Sequence, residues 1–305
     1  MKELYSIAEI TKQALHQHRA RRQESDLSKD MVIAACKKIR KNHKRMGCRR
    51  MYVMVKTKVP VGRDIFEQIG FGNGFKLKIK RNPVITTWSQ KVEVHPNLLE
   101  GKVLTGINQA WQSDIFYIKI ENAHYYGVTI LDVYSRFLLG LNVSKSLLAV
   151  QTRAALKQAI KARNGQSIKG CIFHSDRGSQ YISTEVKELV RTAKLLPSMC
   201  LLPQENAYVE RVQGTLKHEY LFPFQLTEMN LQRQIKKITS YYNNHRPHSE
   251  LGMLTPLMFE QKISNTVIQE HPKLKVYQWT HPLLTFPITK KKEAKKKSVN
   301  NENNS

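Results

Sequence analysis

The chain has 305 residues, enough for a sizeable core with one or two smaller units, and an ordinary hydrophobic content of 41%. Its charge is not ordinary: 50 Lys and Arg against 24 Asp and Glu leave a formal net charge of +26, an excess that repels itself unless a polyanion such as nucleic acid neutralises it. No stretch approaches the ~18 apolar residues of a membrane span, and MKELYSIAEI lacks the long apolar run of a signal peptide. Cys36, Cys48, Cys171 and Cys200 are scattered without a CxxC pair. That spacing argues against a zinc ribbon or a disulfide framework and for buried, reduced thiols in an intracellular protein.

The first 60 residues hold 16 Lys and Arg against 5 Asp and Glu. KDMVIAACKKIRKNHKRM has the period of an amphipathic helix, with Val32, Ile33, Ala35, Cys36 and Ile39 forming the apolar stripe. Gly47 interrupts it. CRRMYVMVKTK predicts a second short helix, closed by Pro60 and Gly62, and RDIFEQIGF a third. Short basic helices separated by turns suit a helix-turn-helix-like DNA-binding region over residues 1–81. Lys44, Arg45, Arg49 and Arg50 crowd its turn and are the candidate DNA contacts, although a small bundle with a solvated basic face reads the same way. Residues 82–110, with Pro83, Pro96, Gly101 and Gly106, predict a linker.

The pattern changes at Trp111. QSDIFYIKI and HYYGVTILDVYS are rich in β-branched and aromatic residues and flank a polar turn, ENA; FLLGLNVS is a third strand. LLAVQTRAALKQAIKAR has helical period, with Leu148, Thr152, Ala155, Leu156, Ala159 and Ile160 on one face. KGCIFHSD is a short strand, STEVKELVRTAK a helix capped by Ser183 or Thr184, and LLPSMC a fifth strand. NAYVERVQGTLKHEYL and LQRQIKKITSYYNNHR are further helices. This order predicts an α/β fold, a mixed five-stranded sheet flanked by helices and preceded by the small helical region. The core covers 111–265 and a C-terminal extension 266–288. The lysine-rich residues 289–305 have the composition of a disordered tail.

Three acidic residues stand where strands or helices would project them. Asp114 lies inside the first strand, between apolar neighbours. Asp176 ends KGCIFHSD, and Glu210 sits on the helix beginning near Asn206. Carboxylate oxygens are the donors that Mg²⁺ and Mn²⁺ prefer, and converging carboxylates can hold two ions about 4 Å apart. Singly, each has a plainer reading: Asp114 on a solvent face, Asp176 in a turn before Gly178, Glu210 as an exposed helix charge.

The surrounding strings resemble the IS3-like DDE transposases, whose integrase core is shared with retroviral integrases and has a ribonuclease-H-like fold. WQSDIFYI is similar to the family's first-aspartate strand, LDVYSRFLLG to the strands that follow, and HSDRGSQYIS to the second-aspartate motif. ENAYVERVQGTLKHEY resembles the glutamate segment and YYNNHRPHSELGMLTPLMFE the closing motif. The resemblance spans about 105–262 in order. HKRMGCRRMYVMV is more loosely similar to the upstream helical DNA-binding domain. It implies that Asp114, Asp176 and Glu210 are the catalytic metal ligands for two Mg²⁺ (or Mn²⁺) ions, with Glu205 a rival in poorer register. The 33 residues between Asp176 and Glu210 are slightly fewer than usual for the group.

The resemblance further implies that Lys217 grips a DNA phosphate. It stands two helical turns beyond Glu210, on the same face of a regular helix. Asn206 is expected to position the site, touch DNA or cap the helix. Arg211 points away. His174 and Asp132 read as structural and Tyr181 as packing; His245, Arg246 and His248 are expected to cap the last helix or touch DNA. The implied activity is divalent-metal-dependent strand cleavage and strand transfer at insertion-element ends. The implied setting is the bacterial cytoplasm, at the nucleoid. Element ends, target DNA, a homo-multimer and an upstream-frame product are the implied partners. Two alternatives remain: a non-catalytic DNA-binding regulator from a decayed element, and a metal-dependent nuclease that cuts without joining.

Overall fold

The computed structural model describes residues 11–77, 95–200 and 202–276; the predicted tail 289–305 and residues 82–94 of the predicted linker lie outside them. Among the described residues, the N-terminal unit has three helices, α1 (Lys12–Asn42), α2 (Cys48–Val55) and α3 (Arg63–Gly72). They close on a small core of Val32, Cys36, Ile39, Met46, Cys48, Met51, Val59 and Phe66. α1 starts far upstream of the predicted helix, where the Thr11 side chain accepts the Ala14 N–H at 3.1 Å. Its first turns are polar nearly all round and mostly exposed, so they carry no apolar stripe by which periodicity could have found them.

The second unit begins with β1 (Val103–Leu104), β2 (Ala110–Ile120), β3 (Ala123–Asp132) and β4 (Leu138–Ser144). Then come α4 (Ala149–Ala162), β5 (Ile172–Ser175), α5 (Thr184–Thr192) and β6 (Leu196–Met199). A 3₁₀ turn (Pro203–Asn206) leads into α6 (Ala207–Thr215), which passes directly into a π-helical turn (Leu216–Leu221). α7 (Leu231–His245), α8 (Pro256–Ser264) and β7 (Leu274–Lys275) complete it. The main sheet has the order β4-β3-β2-β5-β6. β2, β3 and β4 are antiparallel neighbours, whereas β5 runs parallel to β2 and β6 parallel to β5.

Side-chain alternation along β2 divides the core. Trp111 packs with Ala155, Leu156, Phe173 and Val186 beneath α4 and α5. Phe116, Ile118 and Ile120 pack with Val209, Val212, Ile235 and Tyr242 beneath α6 and α7. Each such burial stabilises the fold by roughly 1.5–3 kcal/mol. Asp114 shares the parity of Phe116, so the strand presents it toward α6.

Two expectations need correction. Residues 95–110 are not simply a linker: Leu99, Leu104 and Ala110 are buried in the main core, and β1 pairs antiparallel with β7. These apolar residues are separated by turns, so no period reveals them. Leu148, placed on the buried face of α4, is 69% exposed, because it precedes the helix with extended backbone.

Candidate active site

Asp114 occupies the middle of β2, and Asp176 directly follows β5. The parallel register pairs Gln112 with His174, and two further residues along each chain set the two aspartates side by side. Glu210 lies in the first turn of α6. Burial raises the Asp114 carboxyl to about 7, with the Asp176 charge next in weight and Glu210 adding to it; Lys217 opposes them. Burial likewise raises Asp176 and Glu210. The three carboxylates therefore share one electrostatic field. They do not close on one point: among the described residues, no three His, Cys, Asp or Glu side chains converge tightly enough to hold an ion.

Asp176 is oriented by its own turn. Its Oδ1 accepts the Gly178 N–H at 3.1 Å, and a Cβ on Gly178 would stand 3.0 Å from that same oxygen. The strand–Asp–Arg–Gly sequence thus supplies both the carboxylate and the close backbone donor that fixes it.

Lys217 reaches the site by a different route from a regular helix. The Phe222 N–H bonds to the Lys217 carbonyl at 2.9 Å, five residues back, the signature of a π-turn. The Lys217 ammonium lies 5.2 Å from the centroid of the Phe116 ring and acts on Asp114. Phe116 in turn lies against Gly127, its cross-strand partner. A Cβ at 127 would come within 2.1 Å of the ring, so only glycine lets Phe116 serve as the seat for Lys217.

The strand and the glutamate helix are joined by two side chains. Gln112, fully buried, donates from Nε2 to the Glu205 carbonyl at 2.8 Å and accepts the Val209 N–H at 3.2 Å. Asn206 donates from Nδ2 to the Ser113 carbonyl at 2.9 Å. Sequence reasoning overlooked Gln112; the available signal was a polar amide beside Trp111 in an otherwise apolar strand. Asn206 was expected among the DNA contacts. It is 2% exposed and turned into the protein, and its side chain makes no helix-cap bond.

Arg50 also departs from expectation. It is half-buried, 3.8 Å from Glu219, and Arg246 holds the same carboxylate by two bonds of 2.8 Å. These charges join the N-terminal helices to the core, as does His43, whose Nδ1 meets the Tyr220 hydroxyl at 2.8 Å. Arg246 and His248 are buried, which removes them from the expected DNA surface. Lys44 and Arg49 remain exposed and Arg45 is half-buried. Glu205 accepts the Leu202 N–H, and Arg211 pairs with Glu250 at 2.6 Å.

The residues read as structural have matching partners. His174 meets the Ser198 hydroxyl at 2.9 Å, and Tyr181 the Ser113 hydroxyl at 2.9 Å. Asp132 accepts the N–H groups of Asn108, Tyr134 and Ser135 and faces Arg163. The four cysteines are free and buried. No described helix is long and apolar enough to cross a membrane.

A mixed sheet in this strand order, with one aspartate inside β2, a second directly after the parallel strand β5 and a glutamate on α6, defines an integrase-core enzyme: a DDE-type polynucleotidyl transferase. An Integrase core domain family model matches residues 105–201, and a second of the same description matches 201–256. The 31 kDa protein of insertion element IS600 from Shigella sonnei is 32% identical over 229 residues, 71% of this chain and 81% of that protein. The chain belongs to the IS3-like insertion-element transposases, and its function is DNA transposition.

Two further relatives are each 32% identical: the IS904 transposase of Lactococcus lactis over 52% of this chain, and the IS3A transposase InsF of Escherichia coli over 55%. The chain spans 63% and 60% of their respective lengths. Among solved structures, the HTLV-2 integrase catalytic core domain in complex with magnesium shares 22% identity. That match has a TM-score of 0.42 and covers 51% of this chain and 97% of the other.

Proposed function

We propose that Asp114, Asp176 and Glu210 hold two Mg²⁺ ions for cleavage and transfer of DNA strands at insertion-element ends. The observation that carries this reading is the approach of Asp176, directly after β5, to Asp114 on the adjacent parallel strand β2, where its charge raises the cost of ionising Asp114. The donor set fits a hard divalent cation: all oxygen, with Asp114 pushed up to about 7 by burial and by the other two carboxylates. When bound, such ions supply charge for the attacking and leaving oxygens of an in-line displacement.

The chain's own residues do the rest. Gln112 and Asn206 keep the helix bearing Glu210 against the strand bearing Asp114. Lys217, seated on Phe116, is placed to hold a phosphate beside the carboxylates. Lys44, Arg45 and Arg49 offer contacts to flanking DNA. In cleavage, water attacks a phosphodiester and frees a 3′ hydroxyl. That hydroxyl then attacks a second phosphodiester, so each bond formed replaces one broken and no covalent enzyme–DNA intermediate is needed.

In this reading the chain works as a homo-multimer on paired element ends in the bacterial cytoplasm, at the nucleoid, with an upstream-frame product as an additional partner. Glu210→Gln tests the site. Cleavage should be abolished with DNA binding nearly intact, because one ligand charge is removed and the fold is unchanged; normal cleavage by this variant would exclude Glu210.

A further inference from the structure

We propose that His218 and Phe222 form a stacking platform for an unpaired nucleobase of the DNA strand held at the carboxylate site. This rests on the transposase reading above and adds a binding site to it. The π-helical turn sorts consecutive side chains. Lys217 points toward Asp114 and Phe116, whereas Glu219 and Tyr220 turn to Arg246 and His43. His218, between them, is exposed.

Its ring meets Phe222 edge-on, with centroids 5.5 Å apart and planes at 70°. Phe222 is 53% exposed, although it adjoins the fully buried Tyr220 and Leu221. Core packing therefore does not account for the pair. An edge-on arrangement leaves ring face open for a third planar group.

The charge around the rings identifies that group. Besides burial, the influences that hold the His218 pKa below its usual value are Arg45 and Lys217, both cations. Two residues beyond Phe222, the Phe224 ring centroid lies 5.6 Å from the Lys44 ammonium. Cations beside exposed aromatic rings match a strand that offers both phosphates and flat bases. Within a duplex each base is already stacked on both faces, so the rings suit a base that has left its pair. Such a base is expected where a DNA end is opened beside Lys217.

The test uses the full-length chain and two DNA probes: a blunt duplex, and the same duplex carrying a short 3′ overhang with 2-aminopurine in it. Affinity is read by anisotropy and stacking by 2-aminopurine quenching. The wild type should prefer the overhang by about tenfold and quench it. Phe222→Ala and His218→Ala should lose most of that preference and the quenching while binding blunt duplex as before. Phe222→Trp should restore both. Equal wild-type affinity for the two probes without quenching would overturn the platform. So would a Phe222→Ala variant that weakens both probes alike, or one that keeps the preference but loses multimer mass by sedimentation. Failure of the wild type to bind either probe would overturn the transposase reading as well.

Discussion

The side-chain oxygen of Gln112 accepts the backbone N–H of Val209 across 3.2 Å. Gln112 stands two residues before Asp114, and Val209 one residue before Glu210. The other end of the same amide donates to the Glu205 carbonyl at 2.8 Å. One buried side chain therefore sets the spacing between the strand and the helix that carry the outer members of the carboxylate trio.

Gln112→Leu keeps a similar volume and removes both bonds, taking from the buried Val209 N–H its side-chain acceptor. The loss should cost about 1–3 kcal/mol. Thermal unfolding should show the loss. Strand cleavage should fall through kcat more than through KM, because Glu210 moves while the DNA surface stays. A variant as stable and as active as wild type would show that the clamp is dispensable.

Metal and pH should be linked through Asp114. Its carboxyl rises from 3.8 to about 7 in the fold. Between those values the native state binds more protons than the unfolded chain, so metal-free stability falls as pH rises through this window. Asp114→Asn removes the ionising group. Its Tm advantage over wild type in EDTA should therefore grow from about pH 4 to pH 7 and then level off. Added Mg²⁺ competes with the proton and should raise the wild-type Tm more at pH 8 than at pH 6. A Tm difference that does not vary with pH would contradict the burial of this carboxylate among like charges.

The contact between the helical unit and the core depends on a shared carboxylate. Glu219→Ala should destabilise the protein by about 3–5 kcal/mol, because it leaves Arg246 buried without its partner. Arg50→Ala should cost much less, since Arg50 stands 3.8 Å away and keeps some access to water. Urea unfolding of both variants checks the ranking, and equal losses would refute it.

Much of this architecture is legible in the residues. β2, β3 and β4 announce themselves as β-branched and aromatic runs around a short polar turn, and α5 through its Ser183 cap, which accepts the Val186 N–H. The aspartates stand out as acids in or directly after apolar strands. What pattern cannot show is pairing between distant residues. Arg50 and Arg246 read as surface charges because Glu219, their partner, is far off in sequence. Gln112 escapes notice because its acceptor and donor lie outside its own strand. The early turns of α1 lack an apolar stripe, and the π-turn after Thr215 carries no local mark. Lys217 was assigned to a shared helical face with Glu210; its placement beside Asp114 comes from that π-turn and from the Phe116 ring lying over Gly127.

Strand cleavage and joining on labelled element-end DNA, with Mg²⁺ or with EDTA, comparing wild type and Asp176→Asn, tests the central claim most directly. The account predicts joined product from the wild type with Mg²⁺ alone, and none from Asp176→Asn despite retained DNA binding. Joining by Asp176→Asn at the wild-type rate, or wild-type joining undiminished in EDTA, would contradict it.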